Sequence, residues 1–187
     1  MSELTVLQAV RFKGRVSIND LAATLAEDVT NTVKQLVESG LLIDTTTLRI
    51  SPSGRARLDE LLCEERAGID SAALAVAYDE FHSVNADFKV LVTEWQLNRD
   101  TAALARMDDV HERVLPIIAA AAAQLPRLNA YRTKLVAALD KVKAGEVAWL
   151  TKPLVDSYHT VWFELHEELI LASGLTREQA ARSGDAQ

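Results

Sequence analysis

The chain has 187 residues, 49% of them hydrophobic and 25% charged, which excludes an apolar-poor disordered polymer. A net charge of −7 excludes a uniformly basic nucleic-acid coat, and the single cysteine, Cys63, excludes an intrachain disulfide or a thiolate zinc cluster. Glycine and proline are scarce while alanine and leucine abound, so a mainly helical protein is expected, as one domain or two small ones. The longest apolar stretch, Val114 to Leu125, is interrupted by Pro116 and is too short to span a bilayer. With no basic-plus-apolar leader at its start, the sequence predicts a reducing, cytoplasmic setting and no membrane partner.

Residues 1–66 carry eight Lys and Arg against ten Asp and Glu, nearer neutrality than the rest. Val6, Leu7 and Val10 recur at helical spacing, and Gly14 stops that helix. Arg15-Val16 is a strand stub. Ser17 to Asp20 forms a capping box for a second helix that buries Ile18, Leu21, Ala22 and Leu25. Asp28 caps a third helix whose inward face is Val29, Val33, Leu36 and Val37, closed by Gly40. Leu41 to Ile43 and Leu48 to Ile50 alternate like two strands around a turn at Thr45-Thr46-Thr47. Ser51 caps a fourth helix with Pro52 at its first position, and Leu58, Leu61 and Leu62 share one of its faces.

Three helices, a hairpin and a helix in so few residues is the plan of a winged helix-turn-helix. Ile18-Asn19-Asp20-Leu21-Ala22, the stretch Glu38-Ser39-Gly40-Leu41-Leu42, and Leu48 through Leu58 with its Ser51-Pro52-Ser53-Gly54 core resemble the corresponding segments of MarR-type regulators. The resemblance covers about a third of the chain and implies double-stranded DNA as partner, with the third helix entering the major groove. The helical period leaves Thr30, Asn31, Lys34 and Gln35 outward on that helix. Asn31 and Gln35 suit adenine edges, and Lys34 suits guanine or phosphate. Arg49 and Arg55 are candidates for phosphate contact, joined by Arg57, Arg11, Lys13 and Arg15. Two features depart from the family. Glu27-Asp28 stand where it usually has Ser or Thr, and the turn after Asp44 has no basic tip.

The expected boundary divides a winged-helix domain, residues 1–67, from an all-α domain, residues 68–187, across the joint Gly68 to Ser71. Leu74, Tyr78, Phe81, Asn85, Phe88, Val92 and Trp95 step by four and three, a packing seam with one polar member, Asn85. A break is expected at residues 98–101. Leu104, Met107, His111, Val114, Ile118, Ala121 and Leu125 form a second seam, kinked or broken by Pro116 near Glu112. Leu128 to Val142 forms a third helix, ended by Gly145. Pro153 opens a last helix with Val155, Tyr158, Trp162, Leu165 and Leu169 in line, and Thr176 begins a frayed tail. That helix is apolar over more than half its circumference, which predicts burial on two sides across a homodimer interface. Two-fold operators ask for a dimer as well.

All four histidines lie in this region, and Asp79…His82, Asp108…His111 and Asp156…His159 each place an acid three residues before a histidine, on one helical face. Di-metal carboxylate bundles use that pairing, so Asp79, His82, His111 and His159 are candidate ligands for a divalent transition metal. His159 and His166 stand about 10.5 Å apart along a helix axis and cannot share one ion. Asp79 to His82 also resembles the Asp-x-x-Phe-His motif of FadR-type GntR regulators, with an Asp-to-His spacing one residue shorter; there the motif implies a metal-binding effector domain. Trp95, Tyr158, Trp162 and His166, with Trp149, are candidate walls of a pocket for a small-molecule effector. Beside Glu64 and Glu65, Cys63 reads as a structural, partly buried cysteine. No Gly-rich phosphate loop, Gly-x-Ser-x-Gly or His-Glu-x-x-His is present, so an enzyme is not expected. The readings are a dimeric DNA-binding regulator with a ligand-sensing helical domain, the same regulator controlled by an Asp/His metal site, or a winged-helix protein-interaction module that does not bind DNA.

Overall fold

Ser2 opens the first helix, α1 (Glu3–Lys13), by accepting the Thr5 N–H, and Gly14 closes it. The computed structural model describes residues 1–98, 101–153 and 155–175. Helix α2 (Ile18–Leu25) starts on Ser17, whose Oγ accepts the Asp20 N–H at 3.1 Å and donates to the Asp20 carboxylate at 2.7 Å. Ser17 therefore caps α2 as expected, and the Asp20 carboxylate reaches back to its hydroxyl. Ala26 ends α2 in the left-handed region, the only described non-glycine residue at positive φ. Asp28 then accepts the Thr30 N–H at 2.9 Å, and α3 runs Thr30–Glu38.

Strands β1 (Leu42–Asp44) and β2 (Leu48–Ile50) pair antiparallel, Leu42 opposite Ile50 and Asp44 opposite Leu48. Val16 adds a bridge to Leu48 through two backbone hydrogen bonds, which is the expected strand stub. Alternation along β2 sends Leu48 and Ile50 inward and Arg49 outward. Helix α4 (Pro52–Arg66) begins at Ser51. Its hydroxyl accepts the Gly54 N–H at 2.9 Å and donates to the Gly40 carbonyl at 2.7 Å, tying the end of α3 to the start of α4. Val6, Leu7, Leu21, Leu42, Leu48 and Leu58 are buried together in this unit, Met1–Gly68, whose end lies one residue from the expected boundary. Cys63 is exposed, not partly buried as expected, because α4 turns Leu58 and Leu62 inward instead.

In the second unit, from Ile69 on, every regular element among the described residues is a helix or a 3-10 turn. Asp70 accepts the N–H groups of Ala72 and Ala73 and so caps α5 (Ser71–Asn98), whose predicted seam from Leu74 to Trp95 is buried at every position. A short α6 (Thr101–Ala105) takes Leu104 out of the second seam, and α7 (Met107–Gln124) carries the rest. The expected break falls partly on residues 99 and 100, outside the described residues, as does the tail from Thr176. No break occurs at Pro116. α7 runs through it, with the proline on the exposed side where water can satisfy the carbonyl it leaves unpaired.

A single 3-10 turn, Pro126–Leu128, leads into α8 (Asn129–Lys143), and a second, Val147–Leu150, follows it. The last helix, α9 (Tyr158–Ala172), begins five residues later than Pro153 predicts, because Ser157 is its cap and accepts the Thr160 N–H. α5 packs along α7, and α9 lies against α5 and α8. Within one chain α9 is already buried on nearly all sides, so its wide apolar circumference gives no reason for a second copy. Among the described residues no helix is long and apolar enough to cross a membrane.

Candidate functional site

The first candidate surface is α3. Val29, Val33 and Leu36 are buried, and the period that buries them leaves Thr30, Asn31, Lys34 and Gln35 exposed, as expected. Arg49 on β2 and Arg55 on α4 are exposed too. Arg57 is not available in the same way. It is 3.4 Å from Glu3, 3.1 Å from Glu60 and 3.7 Å from Glu64, and these carboxylates raise its pKa. Lys34 stands 4.0 Å from Glu38 one turn on. At the start of α3 the Thr30 hydrogen bonds hold the Asp28 carboxyl below its ordinary pKa, so a full negative charge sits on the helix N-terminus.

The second candidate is a groove of about 410 Å³ between α5 and α9. Phe88, Trp162, Phe163 and His159 supply its aromatic surface, while Asn85, Lys89 and Gln96 supply polar groups. Phe88 and Trp162 stack with ring centres 4.3 Å apart, and His159 approaches Phe88 at 6.2 Å. The Trp162 indole N–H donates to Asn85 Oδ1 at 2.9 Å. Of the expected pocket residues, Trp162 and His166 line this groove. Trp95 and Tyr158 do not: both are core residues, 4% and 0% exposed, because the α5 seam and the first turn of α9 point them inward. Trp149 instead lies under the Lys141 ammonium, 3.3 Å from the ring centre.

The expected metal centre is not assembled. Asp79, His82 and His159 are exposed, whereas His111 is buried with its Nδ1 3.1 Å from the Tyr158 hydroxyl. Two of the three acids that precede a histidine meet a lysine instead. Asp108 meets Lys143 at 2.5 Å, and Asp156, which precedes α9, meets Lys134 at 3.3 Å. Among the described residues no three His, Cys, Asp or Glu side chains form a metal-holding group.

Sequence reasoning missed a buried ionic ladder between α8 and α9. Arg127 is 2.6 Å from Glu168, the Tyr131 hydroxyl donates to Glu168 at 3.3 Å, and Lys134 is 4.0 Å from Glu164. Burial first, then the charges of Glu168 and Glu164, hold the Tyr131 phenol well above its ordinary pKa, so it stays a donor. The signal was the matched spacing: 131 and 134 on one edge of α8, with 127 in the 3-10 turn just before it, and 164 and 168 on α9. Compared with known proteins, the chain matches no family model, no curated sequence and no solved structure.

Proposed function

We propose that the chain is a winged-helix DNA-binding regulator, with the Met1–Gly68 unit reading DNA and the helical unit carrying an effector groove. The observation that carries this reading is the exposed Thr30, Asn31, Lys34 and Gln35 face of α3, followed directly by the β1–β2 hairpin with Arg49 outward. A helix of this length presents such side chains to base edges, and the hairpin arginine suits a phosphate. A two-fold dimer belongs to the reading because operator half-sites are two-fold related. Sedimentation at micromolar concentration tests that part: a dimer is expected, and a monomer removes it.

The principal test is fluorescence anisotropy with the DNA upstream of the chain's own coding region against scrambled DNA, at two salt concentrations. Preferred binding to the native sequence, weakened by salt and by Lys34→Ala, is expected. Equal binding to both, or none at low salt, overturns the reading. It would leave the second one, a protein-interaction module that does not bind DNA. That alternative draws on Asp28 at the head of α3 and on the carboxylates around Arg57, which oppose phosphate.

A further inference from the structure

The groove between α5 and α9 offers rings and one directional donor rather than charge. None of the described residues lining it is acidic, and its only lysine, Lys89, has a partner of its own. Desolvation lowers the pKa of His159, so that ring is uncharged near pH 7. An ionic occupant therefore has no counter-charge to gain here. Phe88, Trp162 and Asn85 form the floor, none of them more than 4% exposed. His159 and Phe163, one turn apart on α9, are exposed, and their rings are the faces an occupant can cover.

Asn85 supplies the direction. An indole N–H only donates, so the 2.9 Å hydrogen bond from Trp162 fixes the Asn85 amide with its oxygen towards the tryptophan. The NH₂ then faces the other way. Among the described residues that NH₂ has no hydrogen-bond partner, and its nitrogen is not sealed from the groove. A donor held in a nearly buried amide and left unpaired is the kind of group that an acceptor on a ligand satisfies. The Thr93 hydroxyl does not compete for that acceptor, because it donates to the Lys89 carbonyl at 2.8 Å on its own helix.

We infer that this groove binds a neutral, planar aromatic ligand that carries a carbonyl on its ring system, the ring covering Phe163 and His159 and the carbonyl oxygen accepting from the Asn85 NH₂. The volume of about 410 Å³ lies within the usual ~300–1,000 Å³ of small-molecule sites. A flat ring gains stacking area against the rim, and the carbonyl gains a preoriented donor that an equally flat hydrocarbon cannot use. The inference rests on the effector part of the proposed function and on the helical unit alone. Failure of DNA binding leaves it standing, and failure of ligand binding leaves the DNA reading standing.

The test is a ¹⁵N–¹H NMR titration of the full chain with 1-indanone and with indane, which has the same bicyclic frame without the carbonyl. Indanone should bind, indane about tenfold more weakly, and only indanone should move the Asn85 side-chain NH₂ signals strongly. Phe163→Ala, at an exposed position, should weaken both ligands. The double change Asn85→Leu, Trp162→Phe removes the donor without stranding the indole N–H, and should bring the two affinities together. Should that variant not fold, the Asn85 NH₂ signals of the unaltered chain still decide. Absence of indanone binding at millimolar concentration overturns the inference. So does equal affinity for ketone and hydrocarbon, or indanone binding that leaves the Asn85 NH₂ signals in place.

Discussion

Arg127 meets Glu168 at 2.6 Å while Glu168 is only 2% exposed, so a full carboxylate charge is held inside the α8–α9 contact by one guanidinium and the Tyr131 hydroxyl. A buried pair of this kind adds little over a well-packed apolar replacement, but breaking it strands a charge. Glu168→Ala should therefore cost about 3–5 kcal/mol. The triple change Arg127→Met, Tyr131→Phe, Glu168→Leu should recover most of that loss. Urea unfolding followed by tryptophan fluorescence measures it cleanly, because Trp95, Trp149 and Trp162 all lie in the helical unit. A loss under about 1 kcal/mol in Glu168→Ala would mean that the pair behaves like a surface ion pair.

Gly54 is the corresponding weak point of the other unit. A Cβ there would approach the Leu41 carbonyl oxygen more closely than real Cβ atoms do, and would press on Ile50 at 2.9 Å. The Leu41 carbonyl is already bound to the Ser51 N–H, and Ser51 holds both Gly40 and Gly54, so the backbone has no room to yield. Gly54→Ala should destabilise the Met1–Gly68 unit by about 1–3 kcal/mol. That unit contains no tryptophan, so amide hydrogen exchange in α3, β2 and α4 is the proper readout. Faster exchange there with unchanged tryptophan unfolding is expected; unchanged exchange would refute the clash.

The periodic parts of the molecule were legible in its sequence. The α5 seam from Leu74 to Trp95 and the outward face of α3 both follow from a period of 3.6 residues acting on long apolar sets, and both are present. The start of α9 was misread because two signals compete there. Pro153 suits a first helical turn, but Ser157 has a hydroxyl that satisfies an orphan N–H, and that cap decides the boundary. The metal centre is not assembled for a different reason: a three-residue spacing makes neighbours only within one helix, as for Asp79 and His82 on α5, and does not bring His82, His111 and His159 of three helices together, while Asp156 precedes α9 altogether. The groove was half seen, through Trp162 and His166. Its α5 wall lies some seventy residues earlier in the chain, for example 77 residues between Asn85 and Trp162, and local periodicity carries no information about such pairings.

His111 gives the helical unit a pH dependence whose sign is set by burial. Burial foremost, then the charge of Lys143, lowers its pKa below the ordinary 6.5, against weaker upward pulls from Asp108, Asp140 and Glu112. A histidine held lower when folded binds fewer protons folded than unfolded. Its contribution is therefore complete above 6.5 and is lost as pH falls through the folded value. Tryptophan-monitored urea midpoints should drop from about pH 7 to about pH 5, and His111→Gln should flatten that slope. A midpoint that rises on acidification, or a slope the variant does not change, would assign the effect elsewhere.

Asp28 sets an electrostatic limit on the proposed DNA surface. Its carboxylate accepts the Thr30 N–H at 2.9 Å and is fully exposed, so it occupies the anion-attracting end of α3 that a phosphate would otherwise approach. Asparagine keeps the side-chain oxygen that accepts from Thr30 and removes the charge. If α3 enters the groove, Asp28→Asn should tighten DNA binding by about two- to fivefold at low salt, with a smaller gain at higher salt. Lys34→Ala in the same background should reverse the gain, since both residues would then act on one phosphate-lined surface. Anisotropy titrations on the single and double variants measure this directly. Asp28→Asn that leaves affinity unchanged, in a chain that does bind its upstream DNA, would move the contact away from the α3 N-terminus and towards the hairpin and Arg49.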